Sequence, residues 1–374
     1  MNPQHTGEHP QRRETAAVAA SGSFVDQDSY PVHARAYLEV SQAVKERGLM
    51  RRAPLFYWGV GAALLLAFGG CIAAFVLVGQ SWFQLLIAAA LGLLFTQAAF
   101  IAHEAAHRQI LSFGPANDRL AKLLTGSLGL SYSWWNSKHS RHHANPNKAG
   151  KDPDIEAGTI SFLETDAAKT RGLHRRIAAR QGWLFFPLLT LEGLNLHVQS
   201  YKHLMSRGRV KGRWMELSMI TARFACLLIP LLLLLPLGMA FAFIGVQLAV
   251  FGVYMGASFA PNHKGMPIIS PTAKLDFFSK QVRTSRNIKG GWWATALLGG
   301  LNYQVEHHLF PSMARNHLAQ TQQIVRAYCQ EHNVPYTETT LAESYAIVVQ
   351  YLNRVGIAAR DPFDCPTAAQ FGRR

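Results

Sequence analysis

The sequence has few charged residues and few cysteines, and each shortage excludes a class of protein. Charged residues make up 16% of the 374 residues, well below the roughly 25% of ordinary soluble domains, so a plain soluble globule is not expected. The cysteines lie too far apart in the sequence for a CxxC metal site or a disulfide framework. They are Cys71, Cys226, Cys329 and Cys365. Histidine, in contrast, occurs sixteen times, so metal chemistry is favoured over thiol chemistry.

Aspartate, glutamate, lysine, arginine and histidine are all missing from two long stretches, residues 53–102 and 224–262. A hydrocarbon core about 30 Å thick requires roughly 20 helical residues to cross, so each stretch predicts two spans joined by a tight turn, at residues 79–81 and 236–238. The third span must begin near residue 217, because its uncharged part alone is too short to cross. The predicted spans cover about residues 54–79, 82–102, 217–235 and 238–260.

Lysine and arginine flank the outer ends of both stretches and are absent from the two tight turns. By the positive-inside rule, the N-terminus, the loop 103–216 and the C-terminal segment are expected in the cytoplasm. The polar residues 1–50 show no signal-peptide pattern, and residues 1–30 are predicted to be disordered. The sequence thus predicts an all-α, multi-pass integral membrane protein of two transmembrane helical hairpins with a helical cytoplasmic cap. Its parts are a tail (1–50), a membrane domain (51–320) and a C-terminal helical segment (321–374).

Three histidine clusters lie outside the predicted spans, at residues 103–107 (HEAAH), 139–143 (HSRHH) and 304–308 (QVEHH). Residues three or four apart share one face of a helix, so His103 and His107 can direct their imidazoles at one metal ion, as can His139 with His142 and His143. Neutral imidazole suits iron, zinc or copper, and about eight nitrogens are enough for two ions. The candidate ligands are His103, His107, His139, His142, His143, His263, His307 and His308.

Other interpretations stay open at single residues. His263, directly after the fourth span, is either a ligand or a satisfied polar group, and Glu104 and Glu306 either orient imidazoles or are solvated helix residues. Two tryptophan pairs either line a substrate tunnel or anchor the cap at the membrane interface; they are Trp134, Trp135, Trp292 and Trp293. The isolated histidines are expected to be ordinary hydrogen-bonded side chains; they are His174, His197, His203, His317 and His332.

The order, spacing and membrane placement of the three clusters resemble those of the membrane fatty-acid desaturase family. The resemblance covers roughly residues 50–320 and is especially close over residues 302–311 (NYQVEHHLFP). It implies that the clustered histidines hold a non-haem di-iron centre, with Asn262 and His263 in the place of a further family ligand. Gln304 stands where many members carry histidine, and its carbonyl could bind iron or hydrogen-bond a neighbour.

The resemblance also implies an activity and partners. Such an enzyme uses dioxygen, two iron ions and two electrons to introduce a double bond into a long acyl chain, carried by coenzyme A or by a membrane lipid. Some members have a fused haem domain with a His-Pro-Gly-Gly motif, but here His9-Pro10 is followed by Gln11-Arg12. The electrons are therefore expected from a separate ferredoxin-like or flavin-dependent donor. The net charge of +15 would attract an acidic donor or anionic lipids, and no nucleic-acid partner is expected.

Alternative functions use parts of the same pattern. HEAAH also satisfies the HExxH motif of zinc peptidases, with Glu104 as general base, but that interpretation leaves the other clustered histidines unused. A membrane b-type cytochrome requires histidines facing each other within the spans, and the two uncharged stretches contain none. A di-iron lipid hydroxylase would carry the same three clusters and stays open as an alternative.

Overall fold

The molecule is built almost entirely from helices. The computed structural model describes residues 24–25 and 35–360; the predicted disorder of residues 1–30 therefore lies outside the described residues except at 24–25, as does the end of the C-terminal segment from residue 361. In chain order the helices are α1 (Ala36–Glu46), α2 (Pro54–Val78), α3 (Gln84–Ala106), α4 (Gly114–Ser127), α5 (Tyr132–Ala144), α6 (Glu164–Ala167), α7 (Gly172–Ala178), α8 (Gln181–Leu189), α9 (Glu192–Leu204), α10 (Arg213–Leu234), α11 (Leu237–His263), α12 (Phe277–Thr284), α13 (Gly291–Leu297), α14 (Gln304–Leu309), α15 (Leu318–Glu331) and α16 (Leu341–Ile357).

Four of these helices, α2, α3, α10 and α11, are long and apolar enough to cross a membrane, counted within the described residues. The predicted all-α class with four apolar helices is therefore confirmed. Helix α11 has 27 residues, which at 1.5 Å per residue gives about 40 Å, more than the roughly 30 Å of a hydrocarbon core. Both α3 and α11 extend past the predicted ends at residues 102 and 260, and their extra turns carry His103 and His263.

The two inner spans, α3 and α11, form the most extensive helix pair in the described structure. They approach so closely that a Cβ on Gly92 would lie 2.9 Å from the Gln247 carbonyl oxygen, a distance that only glycine avoids. Helix α2 lies at the outside, with Leu55 85% and Leu77 86% exposed. Such exposure of large apolar side chains is expected of a helix that faces lipid.

The cap combines helices from early and late parts of the described chain, packed onto one end of this bundle. Helix α1 contacts α15, α16 contacts α8, and α9 crosses α11 where a Cβ on Gly252 would lie 2.4 Å from the Gly193 nitrogen. Residues 183–196 form a mainly apolar stretch too short to span a membrane, and they are divided between α8 and α9. Four short strands pair in parallel, β1 with β2 and β3 with β4; they are β1 (Phe24–Val25), β2 (Ile268–Ile269), β3 (Arg286–Ile288) and β4 (Thr337–Thr339).

Candidate metal centre

Eight histidines, carried by four helices or directly after one of them, meet at the end of the bundle in two groups. Within each group, the candidate ligand nitrogens lie within 4.8 Å of one another. The larger group contains His103, His107, His139, His143 and His307. The smaller group contains His142, His263 and His308. All eight predicted residues are thus brought together. The expectation that His139, His142 and His143 share one metal ion is wrong, because His139 and His143 lie in the larger group and His142 lies in the smaller one.

Each helix delivers its histidines for a local reason. His103 and His263 lie on the last turns of α3 and α11, just past the apolar length of each span. Helix α5, which carries the second cluster, begins at Ser131, whose Oγ accepts a hydrogen bond from the Trp134 nitrogen at 3.2 Å. Glu216 of α10 is buried and accepts hydrogen bonds from Ser131 Oγ at 2.7 Å and from the Ser133 nitrogen at 3.2 Å. The start of α5 is therefore fastened directly to the third span.

Distances between ring nitrogens fit shared metal ions. His139 Nε2 lies 2.8 Å from His107 Nε2 and 3.1 Å from His103 Nε2, and in the smaller group His142 Nε2 lies 3.3 Å from His263 Nε2. Two ligands at right angles, each about 2.1 Å from a metal, are about 3 Å apart. These nitrogens have the separation that common coordination produces.

Unsatisfied nitrogens give a second indication. The Nε2 atoms of His143, His307 and His308 are buried without a hydrogen-bond partner among the described residues, although buried polar side-chain atoms nearly always have one. Three such atoms, together in one cluster with five further imidazoles, match the donor set of an imidazole-bound transition metal. The residues present therefore fit the two-metal centre that the sequence predicts.

Burial keeps most of these imidazoles neutral, which is the form that binds a metal. It lowers the pKa of His107 to about 4 and holds the pKa values of His139, His143 and His307 well below the ordinary range. His142 differs: burial lowers its pKa, but the nearby carboxylates of Asp154 and Asp152 outweigh that effect and raise it. The two carboxylates therefore stabilise positive charge at the smaller group, including that of a bound metal ion.

In the smaller group, the orientation of each imidazole ring is fixed by a hydrogen bond that its Nδ1–H donates. The partners are an Asp152 carboxylate oxygen at 3.0 Å from His142, the Thr284 carbonyl at 2.9 Å from His263, and Gln281 Oε1 at 2.9 Å from His308. An Nδ1–H that donates to such acceptors leaves the Nε2 lone pair free for a metal. The histidine pattern did not indicate any of these three partners. Only Asp152 could have been suspected from the sequence, because it is a carboxylate that follows soon after the second cluster.

Gln304 and Asn262 lie beside the smaller group, and both are buried. Gln304 Nε2 is 2.9 Å from His263 Nε2, and Asn262 Nδ2 is 2.8 Å from Gln304 Oε1. The other oxygen, Asn262 Oδ1, is buried without a partner in the described structure. Two amide side chains thus border the group that has only three imidazoles.

Neither glutamate of the clusters is a solvated helix residue, and among the described residues neither is hydrogen-bonded to an imidazole. Glu104 is buried in an ion pair with Arg315, in which Arg315 Nη2 donates to Glu104 Oε2 at 2.8 Å. Glu306 accepts hydrogen bonds from Tyr336 Oη at 2.6 Å and Asn287 Nδ2 at 2.7 Å. Burial raises the pKa of Glu306 to about 7. Both carboxylates hold the surrounding segments in place.

A cavity of about 580 Å³ reaches both groups, with His103 and His139 of the larger group and His142 and His263 of the smaller group in its wall. Trp134 and Trp135 also line it, whereas Trp292 and Trp293 are 84% and 44% exposed and lie elsewhere. The first pair therefore has the position of tunnel residues and the second pair that of surface anchors. The apolar wall includes Leu128, Leu130, Phe185, Leu189, Met255 and Phe259.

The isolated histidines stay outside the centre. Ring Nδ1 atoms of His197, His317 and His332 lie 2.8 to 3.0 Å from the carbonyl oxygens of Gly129, Leu49 and Tyr328, respectively. His174 is exposed. These residues are ordinary hydrogen-bonded or surface side chains, as the sequence indicates for scattered histidines.

Comparison with known proteins gives a consistent result. The chain is 29% identical over 295 residues to Delta(8)-fatty-acid desaturase 2 of Arabidopsis thaliana, covering 75% of this chain and 65% of that protein. It is 28% identical over 291 residues to the acyl-lipid (9-3)-desaturase of Borago officinalis, covering 72% and 63%. It is 26% identical over 333 residues to a Delta(6)-fatty-acid desaturase of Caenorhabditis elegans, covering 85% and 74%.

The chain thus spans just under two thirds of the length of the Arabidopsis and Borago relatives. A family model described as fatty acid desaturase matches residues 80–340, which is more than two thirds of the chain and contains all three histidine clusters. Together with the four apolar helices, this match identifies a membrane protein. The chain belongs to the fatty acid desaturase family.

Proposed function

We propose that this protein introduces a double bond into a long acyl chain, carried by a membrane lipid or by coenzyme A, with dioxygen and two electrons from a separate donor. The observation that carries the proposal is the cavity, whose apolar wall leads to both histidine groups. The relatives, which bear the names of Delta(8), Delta(6) and acyl-lipid desaturases, support the same reaction class.

Two iron ions would be held by the eight histidines, one in the larger group and one in the smaller group beside Gln304 and Asn262. Iron with dioxygen supplies the strong oxidant that removal of hydrogen from an unactivated methylene requires. The residues of the chain supply the rest: fixed nitrogens, a mainly apolar cavity and a defined position for the substrate.

The cavity positions the acyl chain. Apolar contact contributes about 0.8 kcal/mol per buried methylene, so an extended chain is held along the wall by many small contributions. Because His139 and His142 are fixed by α5, each bound carbon pair has a set distance from them. Holding one pair next to the reactive atoms is the positional control that a featureless chain requires.

Part of the cavity wall fits a substrate that enters from the membrane. Leu191, which lines the cavity, is exposed, and so is Leu194 in the first turn of α9. The wall beside Leu191 also contains the polar side chains of Glu192 and Asn195. An apolar surface next to polar groups matches the boundary between acyl chains and headgroups.

We further propose that both ends of the chain and the metal centre face the cytoplasm. Neither tight turn between paired spans, residues 79–83 and 235–236, contains lysine or arginine. Basic residues lie instead next to the opposite ends of the spans, as at Arg52 and Lys264. This distribution is the one that the positive-inside rule associates with a cytoplasmic cap.

The geometry disfavours the zinc-peptidase alternative. A general base must lie within reach of a metal-bound water, but the Glu104 carboxylate is occupied by Arg315. The hydroxylase alternative shares the same histidines and cavity, and the product of the reaction distinguishes it.

The test is fatty-acid profiling of cells that express the intact protein, the His142→Ala variant or the His174→Ala variant, with double-bond positions derivatised for mass spectrometry. A new unsaturated acyl chain is expected with the intact protein and with His174→Ala, which removes an exposed histidine, but not with His142→Ala. A hydroxylated chain would favour the hydroxylase. A double bond that persists in His142→Ala would contradict the assignment of the centre.

A further inference from the structure

Lysines from two segments distant in sequence come together on the cap. Lys148, Lys151 and Lys280 are close enough to repel one another, and the exposed Lys274 follows Ala273, which Lys148 contacts. We call these four residues the lysine patch: Lys148, Lys151, Lys274 and Lys280. Lys148 Nζ donates to the Ala273 carbonyl at 2.6 Å, next to Lys274. Lys280 Nζ donates to the carbonyl of Ala144, the last residue of α5, also at 2.6 Å. Backbone contacts thus fix the positions of two of the four ammonium groups.

Positive charge is concentrated in this patch. Burial, followed by repulsion from Lys148 and Lys151, lowers the pKa of Lys280, and the pKa of Lys148 is lowered by burial and then by Lys151. Asp276 attracts Lys280 and offsets part of the charge. Its carboxylate also accepts a hydrogen bond from the Ser279 nitrogen at 2.9 Å at the start of α12.

The patch is adjacent to both histidine groups through one side chain. Gln281, the residue after Lys280, donates from Nε2 to the His143 carbonyl at 2.9 Å and accepts from His308 Nδ1 at 2.9 Å. His143 belongs to the larger group and His308 to the smaller one. A single glutamine therefore connects the base of the patch to a candidate ligand of each metal.

The substrate cavity does not use this side of the centre. Its wall contains four of the eight histidines but neither His143 nor His308. A molecule bound over Lys280 and Gln281 would therefore leave the cavity open. The acyl chain and a protein docked on the patch can be bound at the same time.

We propose that an acidic one-electron carrier protein docks on the lysine patch and delivers electrons past Gln281 to the histidine-bound centre. The inference rests on the proposed function and names the docking surface of its electron donor. Opposite charges on the two surfaces would speed encounter and fix orientation. Anionic lipid headgroups are the alternative occupant, and the two hydrogen bonds that Gln281 makes to His143 and His308 favour the electron carrier.

The electrons balance with this arrangement. Conversion of one CH₂–CH₂ unit to CH=CH breaks two C–H bonds and releases two electrons and two protons. Reduction of dioxygen to two waters consumes four electrons and four protons. Two carriers must therefore dock in turn for each double bond, each giving one electron, and two protons come from solvent.

The test compares the Lys151→Glu/Lys274→Glu double variant with a control, Lys202→Glu/Lys211→Glu. All four side chains are exposed, and both variants change the charge equally. The full-length proteins are placed in phosphatidylcholine nanodiscs, and the Kd for an acidic [2Fe–2S] ferredoxin is measured by titration at low ionic strength. In parallel, ferredoxin-driven turnover and the product yield of a single turnover after chemical reduction are measured.

We expect the patch variant to have a Kd and a KM for ferredoxin that are about tenfold higher or more, while its single-turnover yield is unchanged. The control variant should have the same Kd, KM and yield as the intact protein. The effect should shrink as salt is added, because exposed charges are screened. Equal Kd values in all three proteins, or an equal loss in the control, would overturn the proposal. So would a patch variant that keeps its ferredoxin Kd but loses binding to phosphatidylserine vesicles.

Failure of the proposed function gives a different result. If the intact protein yields no unsaturated product even after chemical reduction, the desaturase assignment falls. The ferredoxin titration still reports on the patch in that case, because Kd is measured without turnover.

Discussion

The two histidine groups are next to each other, but they are built by different means. The smaller group has three imidazoles, each with a hydrogen-bond acceptor at Nδ1. The larger group has five imidazoles, and within the described structure His143 lacks a partner at Nδ1 as well as at Nε2. Its rings are instead packed against each other and against Trp135, whose ring stacks on His139 with centroids 4.5 Å apart.

The difference suggests two ways to keep a metal in place. A site with few ligands depends on each one, so each orientation is fixed by a directed hydrogen bond. A site with five ligands tolerates looser individual rings, since the others retain the ion. The smaller group also has room for Gln304 and Asn262, and its acidic neighbours, Asp152 and Asp154, add electrostatic stabilisation.

The largest expected effect comes from removing one ligand of the smaller group. His308→Ala would leave two imidazoles there, so with the proposed di-iron centre the iron content should fall from two ions to about one per chain. Activity should fall by more than about 100-fold, beyond the 10- to 100-fold loss typical when only the partner of a ligand is removed. Iron per chain after dialysis and the amount of unsaturated product are the two measurements.

The matched variant in the larger group is His143→Ala, which leaves four imidazoles. We expect it to retain close to two irons under the same dialysis, with a smaller loss of activity than His308→Ala. His174→Ala serves as the control for both. If His143→Ala loses iron as readily as His308→Ala, the number of ligands does not explain the difference between the groups.

The next effect tests the directed hydrogen bonds. Asp152→Asn keeps the size of the side chain but removes the charge that faces His142, so iron in the smaller group should bind about 10- to 100-fold more weakly. Iron retention against a series of chelator concentrations measures this. Glu156→Gln, an exposed carboxylate near Arg141, is the control. Equal loss of both irons from Asp152→Asn would remove the distinction between the groups.

How much of the fold and of the two histidine groups the sequence predicts depends on how far apart in the sequence the contacting residues lie. Helix length is enough to place His103 and His263 at the same end of the bundle, whereas the other six histidines are placed there by the expected sharing of metal ions and by the family resemblance. Pairing across long separations has no such signal: Arg315 meets Glu104 from 211 residues away, so the ion pair that occupies this carboxylate could not be predicted. The same holds for Gln281, whose contacts with His143 and His308 depend on how α12 packs.

A smaller effect is expected from Gln304, which borders the group with three imidazoles. Gln304→Ala removes the amide next to His263 and should lower activity about tenfold, the equivalent of about 1.4 kcal/mol, while two irons remain bound. Gln304→His is the matched variant, because it offers a fourth imidazole and should retain iron at least as well as the intact protein. Loss of one iron in Gln304→Ala would instead make the glutamine a required ligand.

The smallest effect tests whether packing replaces hydrogen bonds in the larger group. An aromatic pair contributes about 0.5–1.5 kcal/mol beyond the burial of its surface, so Trp135→Leu should reduce activity by about two- to tenfold by loosening His139. Trp135→Phe keeps a ring over the imidazole and should stay close to the intact protein. Because Trp135 also lines the cavity, the KM for the acyl substrate must be measured with kcat. A change confined to KM in Trp135→Leu would assign the tryptophan to substrate binding alone, and the larger group would then depend on its helices rather than on ring stacking.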